Sequence, residues 1–272
     1  MLDNPAPRIV LSAAAVGLFY GALFTGSTPA PQSQEAPRGM AADEAKRLAA
    51  ETRALIRDGD YAKALEPVRK LHDAYPSSHI YIDQLATVYH QLNRSEDEAA
   101  LLEEYLVKAP RPEEACPRLG LAYRASGQED KAHDAFERCV AINPDDPDSI
   151  LYLALSHERA GRAEKAAALY ERGLALAPDY SDMRLGLARI GLRGGRAREA
   201  KAAALGVLKR SPDNTDALLV AGLACLRIGE PADAKTYLKR GAELSPGNAD
   251  LAQALAQVVA LERRARPPVE PR

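Results

Sequence analysis

The chain has 272 residues, of which 46% are hydrophobic and 27% are charged, and its formal net charge is −2. A chain this close to neutral lacks the excess of basic residues with which proteins bind phosphates, so we expect no nucleic-acid partner. Three cysteines without a CxxC pair, and five histidines without HExxH spacing, make neither a disulfide framework nor a metal site.

Motifs for nucleotide binding and hydrolysis are also missing from the sequence. It contains no GxGxxG, no phosphate-cradling GxxxxGK and no GxSxG. We therefore expect a protein that is not an enzyme, with no catalytic residue, no metal, no cofactor and no small-molecule substrate.

The first predicted element is an uncharged hydrophobic helix from Ile9 to Phe24, preceded by Arg8. A secretory signal has a hydrophobic region of about 7–15 residues, and a membrane span has about 17–25. We favour an uncleaved membrane anchor at residues 1–25, because the small residues after the run form a weak cleavage site. A cleaved signal and a secreted protein is the alternative.

The charges before this run favour an N-terminus that stays inside the cell. The rest of the chain would then lie outside the cytoplasm, in the periplasm if the protein is bacterial. Residues 26–42 are rich in Pro, Ser and Gly, which is typical of a flexible linker.

Beyond the linker, prolines recur at intervals of 34 residues, and a proline ends a helix because it removes a donor and clashes with the preceding turn. They stand at Pro76, Pro110, Pro144, Pro178, Pro212 and Pro246. This period divides the chain into six units: 45–78, 79–112, 113–146, 147–180, 181–214 and 215–248.

A second set of residues marks the middle of each unit. Position 15 of the units holds Gly59, Asn93, Gly127, Gly161, Gly195 and Gly229. Gly and Asn adopt the left-handed conformation that ends a helix. Each unit is therefore predicted to be two helices joined by a tight turn, with small residues at position 8 where the helices approach each other.

The unit at residues 113–146 carries the pattern most fully, with Leu119-Gly120, Tyr123, Gly127, Ala132, Phe136 and Pro144. This pattern resembles the tetratricopeptide repeat. The resemblance implies an all-α fold, a superhelical solenoid of αα-hairpins over residues 45–264 that ends in a capping helix at 249–264. Residues 265–272 are predicted to be a disordered tail.

Two acidic residues depart from the family pattern. Glu51 replaces a core leucine in the first unit, which suits an end exposed to solvent. Glu98 replaces the alanine that the five other units carry at position 20.

Members of this family bind peptides on a concave surface lined by the first helix of each hairpin. The Lys and Asn clamp of one subclass is absent, but leucines stand at six of the eight places that positions 5 and 9 provide in the third to sixth units, with arginines at position 13 of the last three. We predict a partner-binding groove formed by Leu121, Leu151, Leu155, Leu185, Leu219, Leu223, Arg159, Arg193 and Arg227. For the acidic column at position 2 and for the arginines, attraction to the helix dipole is the preferred explanation.

The resemblance therefore implies a non-catalytic scaffold or adaptor, tethered to a membrane by its N-terminal helix and binding a peptide or helix of a partner protein. Assembly of an envelope complex is one such role. A self-associating structural protein, and an accessory subunit whose enzyme lies in another chain, are the alternatives. Cys116 and Cys139 face each other in one predicted hairpin and could bond in an oxidising compartment, but core packing is their simpler role.

Overall fold

A computed structural model describes residues 38–108 and 112–265. This part of the chain contains thirteen α-helices and no strand, as the repeat pattern predicted. The helices are α1 Ala42–Arg57, α2 Tyr61–Ala74, α3 His79–Gln91, α4 Ser95–Lys108, α5 Pro112–Ala125, α6 Glu129–Ile142, α7 Pro147–Arg159, α8 Ala163–Leu176, α9 Ser181–Arg193, α10 Ala197–Arg210, α11 Thr215–Arg227, α12 Pro231–Leu244 and α13 Ala249–Ala265.

The turn inside each helix pair has the backbone conformation that its residue type predicted. The five glycines at position 15 have φ between 74° and 81°, and Asn93 has φ 56°. Left-handed backbone costs little for Gly and is tolerated by Asn, so the chain reverses at these points with few residues. The regular spacing of these residues is therefore what phases the helices.

Small residues let the paired helices approach closely. A Cβ atom added to Gly120 on α5 would lie 2.3 Å from the ring of Phe136 on α6. A Cβ atom on Gly222 of α11 would likewise lie 2.4 Å from Leu238 of α12. In both hairpins the large side chain of the second helix occupies the space that the glycine leaves.

The chain divides into two compact units, at Leu169 and Tyr170 within α8. In the N-terminal unit, one core joins α2 to α6 through residues such as Val68, Leu85 and Leu119. In the C-terminal unit, α9 to α11 share a core that is largely alanine, and α11 to α13 share another around Leu238 and Leu251.

The last helix, α13, closes the C-terminal unit as predicted. Leu251, Ala254 and Val258 are buried on one face of it, against α11 and α12. Its other face is exposed, because no hairpin among the described residues covers it.

The predicted anchor at residues 1–25 lies outside the described residues, as does the predicted tail at 265–272 except for Ala265, which is the last residue of α13. Within residues 38–108 and 112–265, no helix combines the length and the apolar character needed to cross a bilayer. The end of the predicted linker differs from expectation, since α1 begins at Ala42. Just before it, the Arg38 backbone N–H donates to the Ala74 carbonyl at 2.9 Å.

Candidate protein-binding surface

The predicted groove residues of α7 lie on one face of that helix. Leu151, Leu155 and Arg159 are spaced four residues apart, so they form a line along the helix. Their exposure rises along that line: Leu151 is buried, Leu155 is half-buried and Arg159 is exposed. We call such a line a leucine–arginine stripe.

The C-terminal unit carries two more stripes. On α11 the stripe is Leu219, Leu223 and Arg227, with the same rise from buried to exposed. On α9, Leu185 is buried and Arg193 is exposed, but a buried arginine, Arg189, takes the middle position. In each stripe, therefore, the N-terminal leucine is buried and the C-terminal arginine is exposed to solvent.

Four of the six predicted groove leucines are too buried to form an exposed apolar strip, and this corrects the expectation. They are Leu121 at 8% exposure, Leu151 at 5%, Leu185 at 1% and Leu219 at 6%. The reason is packing against neighbouring hairpins: Leu185 belongs to the alanine-rich core of α9 to α11, and Leu219 to the core completed by α13. Only Leu155 and Leu223 keep substantial accessible surface.

A cleft of about 530 Å³ lies beside the α11 stripe in the C-terminal unit. Leu192 and Ile228 supply apolar lining, and Arg196, Arg198 and Arg227 supply three guanidinium groups. Glu199 is the one acidic side chain in the lining. The cleft therefore combines an apolar surface with an excess of positive charge, and Arg227 belongs to both the cleft and the stripe.

The charges at the helix ends follow the helix dipole. Asp148, Asp182 and Asp216 lie in the first turns of their helices, and Arg159, Arg193 and Arg227 lie in the last turns. Neighbouring acids also affect one another: burial, followed by the Asp216 carboxylate, raises the pKa of Asp250. Arg159 is engaged locally, since its Nη1 lies 3.4 Å from Glu129 Oε1.

The sequence left open whether Cys116 and Cys139 are bonded to each other. Cys116 on α5 and Cys139 on α6 form a disulfide, with their Cα atoms 5.4 Å apart. Cys225 is a free, fully buried thiol in the C-terminal unit. Burial raises the pKa of this thiol, which is typical of a cysteine that packs rather than reacts.

Glu98, the acidic residue at position 20 of the second hairpin, makes contacts that the sequence did not predict. Glu98 is 1% exposed, and its carboxylate accepts hydrogen bonds from Arg118 Nε at 2.8 Å and lies 3.2 Å from His90 Nδ1. Arg118, at position 6 of the following unit, was the only available signal, and nothing in a single sequence pairs it with Glu98.

The fold and its surface can now be compared with known proteins. A family model described as tetratricopeptide repeat matches residues 118–181 and 185–249. A second model of the same description matches residues 157–207. Comparison with curated proteins found no match.

Several solved structures resemble the chain at low identity. A tetratricopeptide repeat protein from Parabacteroides merdae is 17% identical, with a TM-score of 0.62 over 79% of this chain and 84% of that one. PilW, described as a widely conserved type IV pilus biogenesis factor, is 18% identical, with a TM-score of 0.63 over 79% and 100%. Pseudomonas aeruginosa PilF is 17% identical, with a TM-score of 0.63 over 79% and 98%.

Identities this low show a shared fold and nothing more. The family match begins at Arg118. The total of six repeats, which includes the hairpins before Arg118, therefore remains a prediction. The chain carries tetratricopeptide repeats at residues 118–181 and 185–249, within an all-α fold of helical hairpins.

Proposed function

We propose that this protein is a non-catalytic scaffold that binds a segment of a partner protein on its leucine–arginine stripes. The best-defined site is in the C-terminal unit, where Leu223 and Arg227 lie on α11 and Arg227 also lines the 530 Å³ cleft. Tetratricopeptide repeats generally bind proteins, and the described surface supplies the two kinds of contact that such binding needs.

The observation that carries this proposal is the composition of the cleft. Its apolar residues, Leu192 and Ile228, fit an apolar side chain, and its three arginines fit carboxylates. An apolar side chain buried there is worth about 1.5–3 kcal/mol, whereas an exposed ion pair is worth about 0–1 kcal/mol. The partner segment should therefore have an apolar anchor that sets affinity and acidic residues that set orientation and salt dependence.

A charge reversal tests this site. The full chain, solubilised from its native membrane or secreted fraction, is purified as wild type, as Arg227→Glu and as the control Lys209→Glu. Lys209 is exposed on α10 and undergoes the same change of charge. We expect the wild type and Lys209→Glu to retain one stoichiometric partner that Arg227→Glu loses.

Retention of that partner by folded Arg227→Glu would place binding elsewhere. A partner that proves to be a second copy of this chain would instead favour self-association, and an enzyme in the complex would favour the accessory-subunit role.

We further propose that the helical hairpins lie outside the cytoplasm, tethered by residues 1–25. The uncharged run from Ile9 to Phe24 supports a tether. The disulfide between Cys116 and Cys139 supports an oxidising compartment, where such bonds persist. PilW, whose fold resembles that of this chain, is described as a pilus biogenesis factor, and an envelope assembly role for this chain is a proposal that rests on that resemblance and on the hydrophobic run.

Thiol counting tests the compartment. Cells are quenched in acid, and the denatured chain is alkylated before and after reduction. We expect one alkylated cysteine before reduction and three after it, because two of the three are bonded. In a Cys139→Ser variant, two should be alkylated in both samples. Three alkylated cysteines before reduction of the wild type would contradict the proposal.

Membrane attachment has its own test. An anchored chain should keep Met1 in its intact mass and should stay in the membrane pellet after carbonate extraction. A new N-terminus shortly after Phe24, in a protein released by carbonate, would show that the run is a cleaved signal.

A further inference from the structure

A cluster of metal-binding side chain types lies between two neighbouring hairpins of the N-terminal unit. It consists of His133 and Glu137 on α6 and His157 on α7. Each residue brings one ligand atom, and these three atoms all lie within 4.8 Å of one another. We propose that these residues bind a divalent transition-metal ion of the zinc class, which would tie α6 to α7.

The geometry on α6 is that of a chelate. His133 and Glu137 are four residues apart, so they project from the same face of the helix, and His133 Nε2 lies 3.3 Å from Glu137 Oε1. Ligands of a tetrahedral ion with bonds of about 2.0–2.2 Å lie at about this separation from each other. The pair thus needs little movement to bind a metal.

The other nitrogen of His133 is held in place. His133 Nδ1 lies 2.9 Å from the hydroxyl oxygen of Ser156. If Nδ1–H donates to that hydroxyl, Nε2 carries the lone pair that a metal requires. Arg162 supports this tautomer, because its Nη1 can only donate and lies 3.4 Å from His133 Nε2. Metal-binding histidines are commonly fixed by a hydrogen bond of this kind.

His157 supplies a second, independent observation. The residue is 6% exposed, and its Nδ1 is a buried polar atom without a hydrogen-bond partner among the described residues. Leaving such an atom unsatisfied costs about 1–3 kcal/mol. The rings of His133 and His157 are 4.8 Å apart.

Two imidazoles and one carboxylate make a donor set suited to Zn²⁺, with a water molecule as the fourth ligand. The positive charge that a metal would meet comes from Arg162 and Lys165. Both side chains are exposed and can turn into solvent. They oppose the metal electrostatically, so removing one of these charges should strengthen binding.

The C-terminal unit contains a second group of possible metal ligands, which differs from the first because a lysine already lies against its carboxylates. Cys225, Glu230 and Asp233 lie together, but the ammonium of Lys201 is paired with Glu230 and lies 3.5 Å from Asp233. A cation already compensates those carboxylates. Their presence must still be controlled in any binding measurement, because a thiol also binds zinc.

The test uses the full chain, purified with an affinity tag that contains no histidine and stripped of metal with a chelator that is then removed. Zn²⁺ alone is added, and bound zinc is counted by equilibrium dialysis in wild type, His133→Gln, Glu137→Gln and a control, His79→Gln. His79 is an exposed histidine at the start of α3. All four proteins, including the one called wild type in this test, also carry Cys225→Ala, so that the group of Cys225, Glu230 and Asp233 does not contribute.

We expect one zinc ion bound to the wild-type cluster and to the control, and loss of that ion in His133→Gln and Glu137→Gln. Zinc should also raise the melting temperature of the wild type and of the His79→Gln control, and it should leave the melting temperatures of His133→Gln and Glu137→Gln unchanged. Arg162→Gln should bind zinc more tightly. Glu137 is more than half exposed, so its variant should fold, and circular dichroism checks that it does.

No bound zinc in the wild type would overturn the proposal. Equal binding by wild type, His133→Gln and Glu137→Gln would also overturn it, because the ion would then be held by other residues.

Discussion

Arg118 Nε donates a hydrogen bond of 2.8 Å to Glu98 Oε1, and so links α5 to the buried carboxylate of α4. The same guanidinium reaches Asp83 Oδ1 at 2.8 Å and the Thr87 hydroxyl at 3.2 Å. One arginine thus joins three helices of the N-terminal unit. This contact explains how a glutamate is tolerated at a position where the five other hairpins have alanine.

Removing Arg118 should be costly, because it leaves the Glu98 carboxylate buried without its cation. We expect Arg118→Met to lower the free energy of unfolding by about 3–5 kcal/mol. The double variant Glu98→Ala with Arg118→Met should recover most of that loss, since no buried charge then remains. Urea denaturation of the wild type, Arg118→Met, Glu98→Ala and the double variant measures the coupling. Additive effects of the two substitutions would show that the pair is not coupled.

Gly120 should tolerate no side chain. The Cβ of Gly120→Ala would lie 2.3 Å from Phe136, so the two helices must separate or the ring must shift. We expect a loss of about 1–3 kcal/mol in stability. The matched control is Gly206→Ala on α10, where an added Cβ meets nothing within 4 Å. Gly206→Ala should stabilise the helix by about 0.5–1 kcal/mol. Equal changes in the free energy of unfolding for both variants would contradict the role assigned to the close approach of α5 and α6.

Leu185 and Leu223 should respond differently to truncation, although both were predicted to line the groove. Leu185 is 1% exposed and lies in the core of α9 to α11, so Leu185→Ala should cost about 2–5 kcal/mol. Leu223 is half-buried, and Leu223→Ala should cost clearly less while weakening partner binding. Denaturation and partner capture are measured on both. A larger loss of stability for Leu223→Ala would reverse the assignment of core and surface.

His72 should make the N-terminal unit less stable in mild acid. Burial lowers the pKa of His72 below its ordinary value of 6.5, against the opposing effect of Asp73 and Glu104. The unfolded chain therefore takes up a proton at a higher pH than the folded chain, and stability is lost as the pH falls from 6.5 through the folded pKa. His72→Gln should lack this loss. Urea denaturation at about pH 8 and about pH 5 checks it, with a chelator present.

In that experiment the other titrating groups cancel in the difference between wild type and variant. A difference that stays constant from pH 8 to pH 5 would mean that the proton uptake of His72 is the same in the folded and unfolded chains.

The parts of the fold that depend on local chemistry could be predicted from the sequence. The prolines at 34-residue intervals follow helix ends and the left-handed residues at position 15 reverse the chain, so this period placed the helices, whereas Pro67 and Pro117, which lie off the period, are accommodated inside α2 and α5. Asn93 was correctly included, because its amide side chain tolerates φ 56°. The alanine and glycine at position 8 likewise indicated close helix pairs.

The properties that depend on the neighbouring hairpin could not be predicted in this way. Leu185 and Leu223 belong to similar stripes, and only the packing of adjacent helices distinguishes core from surface. His133 and His157 are on different hairpins, and the pattern of the sequence gives no reason to bring them together. The surface that binds a partner is therefore assigned by burial, after the fold is known.

Site-specific photo-crosslinking tests most directly whether the α11 stripe binds a protein. A photoreactive phenylalanine analogue replaces Leu223 in the full chain, in its native cells, and replaces the exposed Thr236 on α12 in a control. We expect a discrete crosslinked protein from position 223 that is absent from position 236 and is lost when Arg227→Glu is added. Crosslinks of equal yield from both positions, or a crosslink at 223 that survives Arg227→Glu, would contradict the stripe as the binding surface.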